Sequence, residues 1–168
     1  VTSMASMFDG CSNLLNLDVS NFDTSKVIDM NSMFAECSNI TELDLSNFDT
    51  SNVTSMGNPY SYSYGGMFRN CKSLKKLNVS SFNTSKVKYM SNMFQGCSSL
   101  TTLDLSNFDT SNVTSMASMF DTCMNLTSLN LTSFNTGNVT DMRWMFNRCR
   151  NLVNLDLSSF NTSNVTSM

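Results

Sequence analysis

The chain has 168 residues, only 14% of them charged, and a formal net charge of −3. A chain of this length can hold one ordinary domain. Its acidic balance argues against nucleic acids as partners, because their binding requires a basic face. No apolar run approaches the roughly 20 residues that a membrane-spanning helix needs, so we expect no membrane span in this segment.

The residues recur at a fixed interval. Cysteines stand at 11, 37, 71, 97, 123 and 149, so four of the five gaps are 26 residues and one is 34. Self-similarity at such a period is typical of solenoids, propellers and arrays. The sequence divides into repeats 1 (1–26), 2 (27–52), 3 (53–86, with an insertion at 57–66), 4 (87–112), 5 (113–138) and 6 (139–164), followed by a stub at 165–168.

Within repeat 1 the pattern changes along the chain. Met4, Met7, Phe8 and Cys11 share one face at helical spacing, which predicts a short helix or helical turn. A short strand follows at 14–19, where apolar and polar residues alternate. The next segment, SNFDTSK, contains Asn, Asp, Thr and Ser, which form turns by bonding to nearby backbone.

One repeat cannot bury its own apolar face, so neighbouring repeats must cover it. We expect consecutive repeats to pair through parallel strands about 4.8 Å apart, each side chain on its equivalent in the next repeat. The prediction is a solenoid of six 26-residue coils with an interior of Met, Phe, Leu, Val and Cys rows.

The repeat pattern CxxLxxLDLSNFDTSNVTSMxxMFxxC resembles the 26-residue repeat of bacterial surface proteins, a family formerly labelled a domain of unknown function. It is similar to the BspA-like leucine-rich repeats. The resemblance implies a leucine-rich-repeat-like solenoid on a bacterial protein that is extracellular, either secreted or attached to the cell surface. It implies adhesion or host-protein binding and transfers no catalytic residue. Since the pattern opens in mid-repeat without end caps, leader or anchor, we expect one segment of a longer array.

The six cysteines occupy one equivalent position in the six repeats, and such a set of equivalent residues is here called a column. The cysteine column allows two interpretations. The sequence has no His and no CxxC pair, which argues against a zinc site. Disulfides between neighbouring repeats are conceivable by distance, but a column of parallel Cβ vectors fits their geometry poorly. Buried free thiols that act as small apolar side chains are the favoured interpretation.

Two columns alternate between Asp and Asn, and a third is Thr. Aspartates on adjacent repeats could share Ca²⁺, whose ligands are oxygens. The favoured alternative is a turn role, since Asp and Asn bond to nearby backbone there. Regular Thr ladders also suggest ice binding, although these residues stand between polar neighbours in a turn. We therefore predict no metal and no other cofactor. The three columns begin at Asp18, Asp23 and Thr24.

The insertion GNPYSYSYGG separates Met56 from Met67 and contains Tyr60, Tyr62 and Tyr64. Insertions in solenoids form loops on one face, often the binding face. Tyr with Ser and Gly combines rigid aromatic area with adaptable polar groups, as in antibody paratopes. The loop is therefore a candidate binding site, or alternatively a tolerated surface loop without a ligand.

Basic residues gather near the insertion. A patch of this kind could meet an acidic glycan or an acidic protein surface, or it could be a solvated face. We take Lys72, Lys75 and Lys76 as candidate binding residues, together with the single tryptophan, Trp144, which lies near a smaller arginine group. The two groups are Arg69, Lys72, Lys75, Lys76, Lys86 and Lys88, and Arg143, Arg148 and Arg150.

Catalysis is not expected, because the chain lacks His and a Gly-rich phosphate loop. Two classes of function remain. The first is a non-enzymatic binding module for adhesion, whose partner is a protein or glycan on a host or neighbouring cell. The second is a structural spacer or filament subunit that assembles end to end, since open solenoid ends expose core and edge strands.

Overall fold

The computed structural model describes residues 1–58 and 65–168, and the regular elements in these ranges are four short strands. The strands are β1 (Glu42–Asp44), β2 (Lys76–Asn78), β3 (Ser128–Leu129) and β4 (Asn154–Leu155). β1 pairs in parallel with β2, and β3 pairs in parallel with β4. Each pair joins equivalent positions of consecutive repeats, which confirms the predicted parallel strands in repeats 2, 3, 5 and 6. The strand predicted at 14–19 in repeat 1 is wrong, since among the described residues no backbone hydrogen bond joins this segment to repeat 2, and the equivalent segment of repeat 4 forms no strand either.

A second line of parallel contacts lies at the start of the repeats. Single backbone bridges connect equivalent residues of all consecutive repeats, from Ser3 to the stub. The column runs Ser3, Asp29, Ser55, Tyr89, Ser115, Asp141 and Ser167. Consecutive repeats therefore keep one register along the described part of the chain, and the insertion in repeat 3 does not shift it.

The predicted helix or helical turn at 4–11 is wrong, since this segment consists of successive turns. Met7 donates its N–H to the carbonyl of Met4 at 3.2 Å. Ser6 and Gly10 have positive φ values of 56° and 78°, which a right-handed helix cannot include. Alternate N–H groups donate to repeat 2 instead: Ser6 to Asn31, Phe8 to Met33 and Gly10 to Ala35, each at 2.9 Å. No helix among the described residues is long and apolar enough to cross a membrane.

The core consists of stacked rows of side chains. In the first Phe row, consecutive rings lie 5.6–5.8 Å apart and within 7° of parallel; the row is Phe8, Phe34, Phe68, Phe94, Phe120 and Phe146. This confirms the predicted stacking of Phe on Phe. Met, Leu, Val and Cys of the inner repeats are also buried. Full burial of one such large apolar side chain stabilises the fold by about 1.5–3 kcal/mol.

The Thr column is buried from Thr24 to Thr136, and only Thr162 in repeat 6 is exposed among its members, which contradicts its interpretation as an ice-binding face. Thr50 donates its hydroxyl to the carbonyl of Asn83 at 2.9 Å and accepts the N–H of Asn83 at 2.8 Å. Thr110 makes the same two bonds to Asn135. Thr50 and Thr110 are fully buried. Each hydroxyl therefore joins two repeats and leaves no regular hydroxyl surface for a lattice.

The Asp and Asn columns stabilise turns. Asp44 accepts the N–H of Ser46 at 3.0 Å, and Asp49 accepts that of Ser51 at 2.9 Å. The backbone and hydroxyl hydrogen bonds from Ser46 lower the pKa of Asp44. No group of three or more Asp, Glu, Cys or His side chains in the described ranges is arranged to hold a metal ion. The turn interpretation therefore accounts for these carboxylates.

The six thiols are free, and four of them are buried. The Cys97 thiol donates to the carbonyl of Phe68 at 3.1 Å, and Cys71, Cys123 and Cys149 make the equivalent bond at the same distance. Burial raises the pKa of Cys37 and of Cys149 to about 11. These two thiols are protonated at neutral pH and are poor nucleophiles. Cys11 is exposed, unlike the buried thiol expected for this column.

Candidate functional site

Two glycines that pair with each other form the first and last residues of the insertion in repeat 3. Gly57 and Gly66 form an antiparallel bridge, and Met67 donates its N–H to the carbonyl of Met56 at 2.9 Å. A Cβ atom on Gly57 would clash with the carbonyl oxygen of Ser91, so only glycine fits there. The chain thus departs and returns at one point beside repeat 4. Tyr60, Tyr62 and Tyr64, the predicted binding residues of the loop, lie outside the described residues.

The remaining predicted binding residues do not form one site. Lys72 lines a cavity of about 310 Å³ on the turn side of repeats 3 to 5, here called the turn-face cavity. Lys75 and Lys76 line a cavity of about 430 Å³ across β1, β2 and residues 102–104, here called the strand-face cavity. Trp144 lines a third cavity of about 430 Å³ in repeat 6. The structure therefore groups Lys75 with Lys76 and separates Lys72 and Trp144 from them.

Part of the basic group joins two repeats. Repeat 3 contains five Lys or Arg and no Asp or Glu, whereas repeat 2 contains five Asp or Glu and no Lys or Arg. Arg69 pairs with Glu36 at 2.8 Å, and Lys76 pairs with Glu42 at 2.7 Å. Sequence reasoning missed these pairs. The available signal was the opposite charge of Glu42 and Lys76, which occupy equivalent positions in neighbouring repeats.

The strand-face cavity has polar walls of mixed charge. Leu77 of β2 lies between the exposed side chains of Lys76 and Asn78. Asp44 and Asp104 line the same cavity. Hydrogen bonds from the backbone and hydroxyl groups two residues along the chain lower the pKa of both carboxyls, so both are ionised at neutral pH. This cavity can therefore offer both hydrogen-bond donors and acceptors to a ligand.

Trp144 occupies an unusual backbone position. Its φ is 57°, and small residues such as Ser32 and Ser118 hold the equivalent left-handed position in other repeats. A bulky residue is uncommon at positive φ. The side chain is 57% exposed and lines an apolar cavity with Met145, Phe146 and others. This cavity presents apolar surface, in contrast to the two polar cavities.

Comparison with protein families gives one result. The model of the family described as Mycoplasma protein of unknown function, DUF285, matches residues 1–64 and 62–168, which together span the chain. Comparison with curated proteins and with solved structures finds no match. The overlapping matches on one chain agree with the internal repetition of the sequence.

Proposed function

We propose that this chain, which belongs to the DUF285 family, is a non-enzymatic repeat module that binds a host protein or glycan at a bacterial cell surface. We place it outside the cell, either secreted or attached to the surface. The proposal includes the finer architecture: six 26-residue turns of a leucine-rich-repeat-like solenoid, similar to BspA-like repeats. Parallel contacts between equivalent residues of consecutive repeats support this architecture.

One observation favours binding above all: exposed side chains vary where the buried ones repeat. Leu45, Leu105 and Leu131 are fully buried at one equivalent position of three repeats. Three residues before this buried position, the exposed side chain changes from repeat to repeat. The exposed column reads Asn16, Glu42, Lys76, Thr102, Ser128 and Asn154. A regular scaffold with variable surface residues is typical of repeat proteins that bind partners.

The test measures binding of the purified chain to arrays of host glycans and to immobilised extracellular host proteins. We expect at least one partner whose affinity falls when the exposed strand column is altered by Glu42→Thr with Lys76→Thr. The matched control is Ile28→Thr, because Ile28 is half exposed and does not line the strand-face cavity. Absence of any partner, or equal loss with the control, would contradict the proposal.

A second candidate, end-to-end assembly into a spacer or filament, is favoured by exposed apolar surface in repeats 1 and 6. Met7 and Leu15 are more than half exposed in repeat 1. Leu157 lines the apolar cavity beside Trp144 in repeat 6. If a second copy stacked repeat 1 on repeat 6, it would make a head-to-tail contact that extends into fibres.

Negative-stain microscopy at micromolar concentration tests this second candidate. Fibres that disappear in Leu157→Glu would support it, since the new carboxylate would be buried in the contact. The control is Val153→Glu, because Val153 is 80% exposed and does not line the cavity. Monomers in the unsubstituted chain would reject assembly.

A further inference from the structure

We propose that the turn-face cavity binds the acidic group of a sulfated or carboxylated saccharide, with Lys72 as the main cation. This inference rests on the proposed binding function and adds to it a second site, separate from the exposed strand column, with the class of ligand that this site takes. The cavity volume of about 310 Å³ lies at the small end of ligand sites, where a single sugar unit fits. The residues that matter are Arg69, Asn70, Lys72, Gln95, Gly96 and Thr122.

The positive charge of Lys72 is available to a ligand. Arg69 and Lys76 are paired with glutamates of repeat 2, and Lys86 donates to the amide oxygen of Asn52 at 2.8 Å. By contrast, no ion pair within the described ranges involves Lys72 or Lys75. A cation without a carboxylate partner attracts anions more strongly than a neutralised one. Lys72 is therefore the cation of repeat 3 that lines this cavity and stays unneutralised.

The walls of the two polar cavities differ in charge. Glu42, Asp44 and Asp104 line the strand-face cavity together with Lys75 and Lys76, and Lys76 neutralises Glu42. No described residue that lines the turn-face cavity is a carboxylate. Like charges repel, so an anionic ligand is disfavoured beside the carboxylates of Asp44 and Asp104 and favoured beside Lys72. This contrast selects the turn-face cavity for the acidic group.

The cavity exists because Gly96 has no side chain between those of Asn70 and Thr122, which hold the equivalent position in the adjacent repeats. Gly96 has a φ of 73°, and its two neighbours share the left-handed conformation. A Cβ on Gly96 would clash with the side-chain oxygen of Asn70, so a side chain here would displace that of Asn70. Glycine thus keeps this position open.

Hydrogen bonds hold the polar walls in place. Asn70 donates its amide to Glu36, and Gln95 donates its amide to Asp121, each at 2.9 Å. Preorganised amide and hydroxyl groups suit sugar hydroxyls, which both donate and accept hydrogen bonds. The cavity of about 310 Å³ admits a single sugar unit, whereas a specific protein contact covers about 800 Å² on each partner, so a saccharide fits better than an acidic protein.

Calorimetry with defined probes tests the inference: a sulfated heparin hexasaccharide, a carboxylated hyaluronan hexasaccharide and neutral maltohexaose. We expect binding of one or both acidic probes, weakened by added salt, and none of the neutral probe. Lys72→Gln should weaken binding about two- to fivefold, the effect of one exposed ion pair. Arg150→Gln, which removes the same charge at the equivalent position of repeat 6, should leave it unchanged.

A second variant tests the cavity rather than the charge. Gly96→Asn keeps the net charge, and Asn70 shows that asparagine adopts this backbone conformation. We expect it to weaken binding of the acidic probes by filling the cavity. The inference would be overturned if Lys72→Gln left the affinity for the acidic probes unchanged, or if Arg150→Gln lowered it as much as Lys72→Gln does. It would also be overturned if a poly-glutamate peptide bound as tightly as the acidic saccharides. If acidic probes fail while a host protein or neutral glycan binds, the inference alone fails; if nothing binds, the proposed function fails too.

Discussion

The same fourteen residues, LDLSNFDTSNVTSM, occur at 43–56 and again at 103–116, and their two environments can be compared directly. Inside the fold they are alike. Phe48 and Phe108 are each 1% exposed, and Thr50 and Thr110 make the same pair of bonds to the following repeat. The buried contacts of the two segments are therefore the same because their sequences are the same.

At the edges the two copies differ. Strand β1 includes the start of the first copy, whereas the second copy contains no strand. The Ser55 hydroxyl donates to the carbonyl of Gly57 at 2.9 Å, but the Ser115 hydroxyl bonds to that of Ser91 at 2.7 Å. Since the letters are identical, the neighbouring repeats cause these differences. The buried contacts of a repeat thus depend on its own sequence, whereas its strand and its Ser hydroxyl bonds depend on the neighbouring repeats.

The largest expected effect tests the shared interior. Phe48→Ala and Phe108→Ala should each lower the free energy of unfolding by about 3–5 kcal/mol, because each leaves a cavity in the core. Urea denaturation followed by circular dichroism measures both. Values that differ by more than about 1 kcal/mol would show that the two interiors are not equivalent.

The buried hydroxyls give the next effect. Thr50→Val and Thr110→Val should each cost about 1–3 kcal/mol, because the backbone N–H and carbonyl of the next repeat lose their partner. The controls Thr54→Val and Thr114→Val remove partly exposed hydroxyls that donate to carbonyls of the preceding repeat at 3.2 Å. Each of these carbonyls keeps its backbone N–H donor at 2.9 Å, so the controls should stay within about 0.5 kcal/mol. A control loss as large as that of the buried pair would contradict the assigned role. Urea denaturation followed by circular dichroism measures the free energy of unfolding of all four variants.

The residue after each copy sharpens the difference between them. Gly57 follows the first copy and Ala117 follows the second, at equivalent positions. Gly57→Ala should cost about 1–3 kcal/mol, because the new Cβ would meet the backbone of Ser91. Ala117→Gly should cost only about 0.5–1 kcal/mol, since it adds backbone freedom without a clash. If Gly57→Ala left the free energy of unfolding unchanged, the start of the insertion would not pack closely on repeat 4.

The smallest expected effect concerns the loss of stability at low pH. Hydrogen bonds lower the pKa of Asp44 and of Asp104 in the folded chain, so folding favours their ionised forms. The resulting stabilisation is complete above the unfolded pKa of about 3.9 and is lost as pH falls through the folded pKa. Asp44→Asn and Asp104→Asn should therefore each reduce the fall in urea midpoint between pH 5 and pH 3.

An unchanged fall in either variant would show that its carboxylate does not contribute to acid sensitivity. Asn78 shows that the turn itself tolerates the change, because its side-chain oxygen accepts the N–H of Ser80 at 3.2 Å. The two variants should respond alike, since both carboxylates make the same bond.

Some features could be predicted from the sequence because each repeat has its own hydrophobic pattern. The stacked Phe row and the short parallel strands follow from that pattern. The turns at 4–11 could not be predicted, since the spacing of Met4, Met7, Phe8 and Cys11 also fits a helix. The choice between helix and turns depended on N–H groups that bond to the next repeat.

The candidate site was less predictable than the fold. Lys72, Lys75 and Lys76 looked like one basic group, yet the structure places them along two cavities and pairs Lys76 with Glu42. Charge counts cannot separate cations that hold repeats together from cations that remain for a ligand. That distinction depends on which side chains meet across repeats.

The sequence by itself determined the period, the position of the insertion and the composition of the buried rows, because these depend on letters that recur every 26 residues. Only the tertiary structure decided that Thr50 and its equivalents in repeats 1 to 5 are buried, that the segment at 4–11 is not helical, and which cations are neutralised. The physical reason is that hydrogen bonds and ion pairs between repeats join residues 24 to 37 positions apart. Their partners are known only once the repeats lie side by side.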